Sequence, residues 1–319
     1  MASPPHRPSR HLRLPRDRVV APVAVVVNPS SGRGKAKRIL PSVRAELARL
    51  DVDAEVLISD GPDHPPKLAA EAAASGAEIV AALGGDGMAG MVARGLIGTQ
   101  TALAVIPTGT GNDFAVNLGY SRKKPLEAVQ ALVEPRFRRI DAGRIRCATK
   151  EETFINVAGI GFDSVVNDVA NRMQTRIEGT AKYVAAVLKV IPRFKPARFE
   201  VSLGGERREL DAMMVAVGNG VSYGGGMRIC PDASLDDGML DVTVIGAMSM
   251  PEFLLNFPKV FRGTHIRHPK CSTTRGTRVD ISADREFEVW ADGEHIGPLP
   301  ASLEIVPEAL RVVVPKAAV

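Results

Sequence analysis

Ile79-Val-Ala-Ala-Leu-Gly-Gly-Asp-Gly87 is an apolar run of five residues that passes without a break into a turn of three glycines and an aspartate. A short, continuous apolar run bounded by turn residues fits a strand buried on both faces. The pattern recurs twice. Val23-Ala-Val-Val-Val27 leads into Asn28-Pro-Ser-Ser-Gly-Arg-Gly34, and Ala102-Leu-Ala-Val-Ile106 leads into Pro107-Thr-Gly-Thr-Gly-Asn-Asp-Phe114. Glu55-Val-Leu-Ile58 supplies a shorter strand that ends at Ser59. Between these strands, Ile39, Val43, Leu47 and Leu50 keep helical spacing, with Pro41 either kinking that helix or marking its first turn. An alanine-rich helix over 66–75 stops at Gly76, the position where a left-handed residue closes a helix. Strands alternating with helices at this spacing predict a parallel sheet, whose post-strand loops meet at one edge.

Beyond about residue 138 the pattern changes. Phe154–Val157, Ala197–Leu203, Ala212–Val217, Leu240–Ile245, Arg278–Ile281 and Glu286–Trp290 read as short strands separated by turns. Helical stretches near 162–173, 179–191 and 251–262 interrupt them. The expected fold is α/β: a Rossmann-like parallel domain over 21–138, then a mainly antiparallel β-sandwich domain over 139–306. The last β-branched run, Leu310–Val314, is expected to return within 307–319 to the first domain.

The chain has 319 residues, too many for one core of ordinary size. Residues 1–18 carry Arg7, Arg10, Arg13, Arg16 and Arg18 against Asp17, which accounts for most of the net charge of +5. Residues 1–20 therefore read as a basic tail, either simply solvated or drawn to anionic headgroups. No apolar run is long enough to span a bilayer. Cys147, Cys230 and Cys271 are far apart and form no CxxC pair, which points to a reducing, cytoplasmic setting. Nucleic acid is not an expected partner, and the oligomeric state, a homodimer included, is left open.

Three glycine-rich turns on one sheet edge suit a triphosphate, because glycines let backbone N–H groups approach its oxygens. Arg33, Lys35 and Lys37 add positive charge after the first turn. Neither GxxxxGK[ST] nor GxGxxG occurs, so neither common nucleotide fingerprint applies. Asp86, Asn112 and Asp113 read equally as helix caps or as site residues. In Glu286–Glu294, alternation puts Trp290, Asp292 and Glu294 on one face, with Gly293 allowing close approach of a ligand at the strand end.

Asn28-Pro-x-Ser-Gly32, Gly84-Gly-Asp-Gly87 and Pro107-x-Gly-Thr110-x-Asn-Asp-Phe114 together resemble the diacylglycerol kinase catalytic domain family, most closely its bacterial soluble lipid kinases. The likeness continues through Asp232–Asp241 and Ala291–Pro298. It implies an ATP-dependent lipid kinase that acts on diacylglycerol, or a related lipid, at the membrane surface to give phosphatidic acid. It places ATP on Asn28, Pro29, Ser30, Ser31, Gly32, Ser59, Gly84, Gly85, Asp86, Gly87, Met88, Thr110 and Asn112. It assigns Glu294 as proton acceptor with Asp292 in support. It puts a structural Mg²⁺ on the Asp237 side chain and the carbonyls of Ser234 and Met239, oxygen ligands that suit this hard cation. Family members commonly continue GGDG with Thr and then Asn-Glu, where this chain has Met88, Gly90 and Met91. GGDG alone is shared with NAD kinases, so an NAD kinase, or a weakly catalytic lipid- or nucleotide-binding protein, is the alternative.

Two stretches stay open. Gly218–Met227 either lines a cleft or forms a long loop. Lys259, Arg262, Arg267 and Lys270, with His265 and His268, form either a solvated face or a membrane-docking patch.

Overall fold

A computed structural model describes residues 22–61, 63–122, 124–173 and 179–316. The basic tail expected at 1–20, and residues 317–319 of the expected return, lie outside the described residues. The chain runs β1 (Val23–Val27), α1 (Ser31–Arg49), β2 (Ala54–Ile58), α2 (His64–Ala74), β3 (Ile79–Gly84), α3 (Asp86–Leu96), β4 (Ala102–Pro107), α4 (Asp113–Asn117) and α5 (Pro125–Gln130). It continues through β5 (Arg136–Cys147), β6 (Glu151–Phe154), β7 (Val157–Gly161), α6 (Phe162–Arg172), α7 (Gly179–Val190), β8 (Ala197–Leu203), β9 (Glu206–Gly218) and β10 (Leu240–Gly246). Helix α8 (Met250–Asn256) and two 3₁₀ turns (Phe257–Arg262 and Thr264–Arg267) follow. The last strands are β11 (Cys271–Gly276), β12 (Arg278–Ala283), β13 (Glu288–Ala291), β14 (Glu294–Pro298) and β15 (Ala301–Val314).

Strands β2, β1, β3 and β4 pair in parallel in that order. β1, β3 and β4 are buried along their whole length, as their unbroken apolar runs require. Pro41 sits inside α1, which begins at Ser31, so the first glycine-rich turn is half absorbed into the helix. Gly76 takes φ +93° just beyond α2, the left-handed conformation expected there.

The second half is antiparallel. β9 pairs with β8 through its first half, and with β7 and β10 through its second, so one long strand serves two layers. The Phe154–Val157 segment is not one strand: β6 ends at Phe154 and β7 starts at Val157. The sequence reading missed β5 and the length of β15. These two pair antiparallel from Ala301↔Cys147 to Val314↔Arg136, with an irregularity between Val306 and Leu310. β15 also pairs with β12 near its start and with β4 at Val312. The expected domain boundary at 138–139 thus falls inside β5, in a two-stranded ribbon that runs through both halves. One apolar core lies around β1, β3 and β4, a second between the antiparallel layers, and a third under α6, α7 and α8.

Candidate active site

The loops after β3 and β4 touch through glycines. A Cβ on Gly109 would lie 2.7 Å from the Gly85 Cα, and one on Gly85 would lie 3.3 Å from the Gly109 Cα. Only hydrogen side chains allow this approach. It sets Asp86, the first residue of α3, against the start of α4, where its Oδ1 accepts the Phe114 N–H at 2.9 Å. Asp113 is fully buried beside it. It accepts from Arg122 Nη2 at 3.0 Å, the Gly225 N–H at 2.6 Å and Ser222 Oγ at 3.3 Å. The glycine loop after β9 is thereby tied to the site.

The opposite wall comes from the turn between β13 and β14. Asp292 and Gly293 have φ +51° and +84°, and Ala291 pairs with Glu294, so Asp-Gly forms a tight two-residue hairpin turn. The chain reverses between the two carboxylates. Asp292 and Glu294 therefore do not share a face, contrary to the alternation read from the sequence. Asp292 is buried and accepts the backbone N–H groups of Ile155 (2.7 Å), Asn156 (3.0 Å) and Val157 (3.3 Å). A Cβ on Gly90 would lie 3.3 Å from the Asp292 Cβ, so glycine at that position gives the hairpin room to reach α3.

Asp86 and Asp292 line one cavity of about 370 Å³ together with Gly111, Asn156, Lys182 and Trp290. Asp163, Tyr183 and Tyr223 line it as well. The Asp163 carboxylate is hydrogen-bonded to both tyrosine hydroxyls and to Asn167. Loss of hydration pushes all three carboxyls up: Asp86 to about 7, with Asp113 next to it adding to the rise, and Asp292 and Asp163 each to about 6. For Asp292 the three N–H donors and Arg94 pull the other way without cancelling desolvation.

Glu294 stands elsewhere. Its Oε2 accepts from Arg94 Nη1 at 2.6 Å, and Arg94 also meets Glu152 at 3.3 Å. Arg94 lies two turns along α3 from Asp86, and Glu294 is not among the residues that line the cavity.

On the other side of the Thr108-Gly109 loop, Lys35, Arg38 and Arg122 line a second cavity of about 450 Å³. Lys35 Nζ lies 3.5 Å from Thr110 Oγ1, which joins the first and third glycine-rich turns. Asn112 has φ +52°, and its Nδ2 braces the loop by donating to the carbonyls of Gly109 (2.9 Å) and Arg122 (3.1 Å). Its Oδ1 is buried with no partner among the described residues, facing Gly85 and Gly109. Three cations beside glycine N–H groups suit a polyphosphate. Asn28 accepts from its own loop at Ser30, N–H and Oγ both, with Pro29 between them. Ser31 and Gly32 open α1, and their side chains lie outside the described residues. Ser59 is buried with its hydroxyl donated to the Gly61 carbonyl at 2.8 Å. Gly84 ends β3 and accepts from Thr108, while Gly87 follows Asp86 into α3 and lines the first cavity. Met88, which the resemblance places at the nucleotide, has its side chain buried in the apolar core.

The loop expected to hold Mg²⁺ is arranged differently. Asp237 accepts the Met239 N–H at 3.1 Å and pairs with Arg275, which also reaches Asp241 at 3.2 Å; Ser234 donates to Asp236. A guanidinium takes the carboxylate, so these residues as folded do not fit a bound divalent cation. Among the described residues no group of three or more His, Cys, Asp or Glu is placed to hold a metal. His265, read as part of an exposed basic patch, is buried, and loss of hydration lowers its pKa.

The architecture is that of a two-part α/β protein with an acidic cleft beside a cationic, glycine-lined one. Residues 22–145 match the family described as diacylglycerol kinase catalytic domain, and residues 156–314 match the YegS C-terminal NAD kinase beta sandwich-like domain. A diacylglycerol kinase of Mycobacterium tuberculosis is 37% identical over 299 residues, 93% of this chain and 96% of that one. One of Bacillus subtilis is 29% identical over 295 residues, 92% and 96% of the two chains. A solved diacylglycerol kinase structure from Bacillus anthracis shares the fold, with TM-score 0.72 at 22% identity over 94% of this chain and 98% of that one. The chain belongs to the bacterial branch of the diacylglycerol kinase family. No helix among the described residues is long and apolar enough to cross a membrane.

Proposed function

We propose that the protein transfers the γ-phosphoryl group of ATP to the free hydroxyl of a diacylglycerol-like lipid, giving a phosphatidic acid and ADP. The observation that carries this reading is a pair of cavities, one cationic and one acidic, to which the same loop contributes: Thr108 and Gly109 line the first and Gly111 the second. The names of the relatives supply the acceptor class.

Lys35, Arg38 and Arg122 would hold the polyphosphate, with Gly109 and Thr110 bringing backbone and hydroxyl donors to it. The nucleotide enters as its magnesium salt, whose ion belongs to the substrate. Phosphoryl transfer asks for positioning and for removal of one proton from the attacking hydroxyl. We assign that proton to Asp86, which lines the acidic cavity and whose raised pKa matches the working pH of a general base. The new bond forms between lipid oxygen and phosphorus as the bond to ADP breaks, and Asp86 then returns its proton to solvent. Asp292 positions the cleft by bonding Ile155–Val157. Glu294, the base implied by family resemblance, would have to leave Arg94 to reach the same hydroxyl.

The test is phosphate transfer from labelled ATP to a panel of lipid alcohols in mixed micelles, with NAD included. Turnover on a diacylglycerol supports the proposal. Phosphorylation of NAD alone, a reading favoured by the match of residues 156–314, replaces it.

A further inference from the structure

A third, apolar cavity lies behind the acidic one. Tyr183 and Tyr223 line both and form the partition between them. On the far side the walls are Met214, Ile245, Phe253 and Phe257, the last two contributed by α8 and the 3₁₀ turn after it. The cavity holds about 40 Å³, little more than one water's share of liquid volume, so a larger occupant enters only if a wall moves.

Helix α8 is built to be that wall. Its inner face carries Phe253, stacked on Phe257 at 5.9 Å and edge-on to Phe162 at 4.9 Å. Its outer face carries Met250, Leu254 and Leu255, exposed by 45%, 37% and 77%. These are half of the exposed large apolar side chains among the described residues, gathered on seven residues. Lys259, Arg262, Arg267 and Lys270 stand exposed on the segment that follows, with Lys259 and Lys270 bonded to Asn256 and Glu252 of the helix. The helix is held at its rim by polar contacts, Glu252 to Lys270 at 2.7 Å and to His268 at 3.5 Å. An apolar outer face with exposed cations beside it matches the boundary of an anionic bilayer, with apolar groups inserted and cations at headgroup depth.

We propose that α8 and its 3₁₀ turns are a lipid door. The outer leucines enter the bilayer, and an alkyl chain of the acceptor passes beneath Phe253 and Phe257 into the apolar cavity. The head of the lipid then meets Asp163, Tyr183 and Tyr223 at the partition, within the cavity that contains Asp86. The catalytic consequence rests on the lipid kinase reading; the membrane and alkyl-chain contacts do not.

Three measurements on the full chain decide it. The first is flotation on phosphatidylglycerol-containing vesicles. The Leu254→Gln, Leu255→Gln double variant should lose about tenfold or more in binding, because two buried leucines are replaced at the interface. The second is thermal stabilisation by straight-chain alcohols. Apparent affinity should rise about fourfold per added methylene while the cavity fills, and Ile245→Trp should abolish this rise. Met214→Phe serves if Ile245→Trp does not fold. The third is turnover. The double variant should lose activity on vesicle-borne diolein yet stay within about twofold of wild type on monomeric dihexanoylglycerol, since it leaves the cavity walls intact. Unchanged vesicle binding in the double variant, or alcohol affinity that ignores chain length or survives the blocked cavity, overturns the door. Absence of turnover on every lipid by wild type sinks the kinase reading alone, because flotation and thermal stabilisation need no catalysis to be read.

Discussion

The two walls of the acidic cleft are made by different means. The wall from the parallel half is local: each loop directly follows its own strand, and Gly85 and Gly109 interlock because neighbouring strands β3 and β4 deliver them side by side. The wall from the antiparallel half is remote. One Asp-Gly turn, more than 130 residues from its partners, is fastened by three N–H donors of Ile155–Val157 to one carboxylate. A loop placed by its own strand tolerates loss of a single contact. A turn whose one carboxylate satisfies three buried N–H groups strands all three when that side chain is removed, although β13 also pairs with β7 and the Asp292 N–H donates to the Val157 carbonyl.

The largest expected effect tests the chemistry that both walls serve. Asp86→Asn should lower kcat by about 10²–10⁴-fold in the micelle assay, the usual contribution of a general base. In the wild type, kcat should climb as pH rises through about 7, where Asp86 loses its proton. Stability should respond with the opposite sign. The folded pKa of Asp86 lies above its unfolded value, so the stabilisation from bound proton is full below about 4 and is lost as pH rises through about 7. Asp86→Asn should therefore gain stability over wild type at pH 8, by at most a few kcal/mol, and less at pH 5. Urea midpoints at the two pH values give the answer. A variant whose advantage over wild type is no larger at pH 8 than at pH 5 would count against an enclosed, raised carboxyl.

Next comes the remote wall. Asp292→Ala should cost about 3 kcal/mol or more, because it strands three buried N–H groups at roughly 1–3 kcal/mol each. Asp292→Asn should fall between it and wild type. Equal melting temperatures for all three proteins would show that the hairpin is held by something else. For the local wall, Gly109→Ala should cost about 1–3 kcal/mol, the range for overpacking, and should weaken nucleotide binding in titration calorimetry. If Gly109→Ala proves more damaging than Asp292→Ala, the contrast between the walls is reversed.

Glu294→Gln should change kcat by about tenfold or less, with Arg94 and Glu152 left to pair, since such a partly exposed contact contributes little by itself. Loss of nearly all turnover, with Asp86→Asn active, would exchange the roles of the two residues. The smallest expected effect concerns the Asp237 loop. With Arg275 occupying its carboxylate, the melting temperature in the absence of nucleotide should not move when a chelator replaces Mg²⁺. A drop of several degrees would reveal a bound ion.

Much of the parallel half was legible because its signals are short-range. An unbroken apolar run, a glycine turn and a helix stop each act within a few residues. Asp86, Thr110 and Asn112 could be named because they follow strands directly. The hairpin was legible in principle, since Asp292-Gly293 is a strong signal for a two-residue turn, but strand alternation was carried through it and put Asp292 and Glu294 on one face. The Asp237 loop could not be read at all without Arg275, which arrives from β11, 38 residues away in the chain.

By itself the sequence determined the parallel strands β1 to β4, the glycine loops on one edge and the family, all of which rest on local propensity and on contiguous motifs. Only the tertiary structure decided which carboxylates share a cavity, that Glu294 faces Arg94, and that Asp163, Tyr183 and Tyr223 form a partition. Those side chains come from α6, α7, the loop after β9 and a hairpin. Their meeting depends on how one continuous 15-stranded sheet folds and packs against its helices, and no local pattern of residues records it.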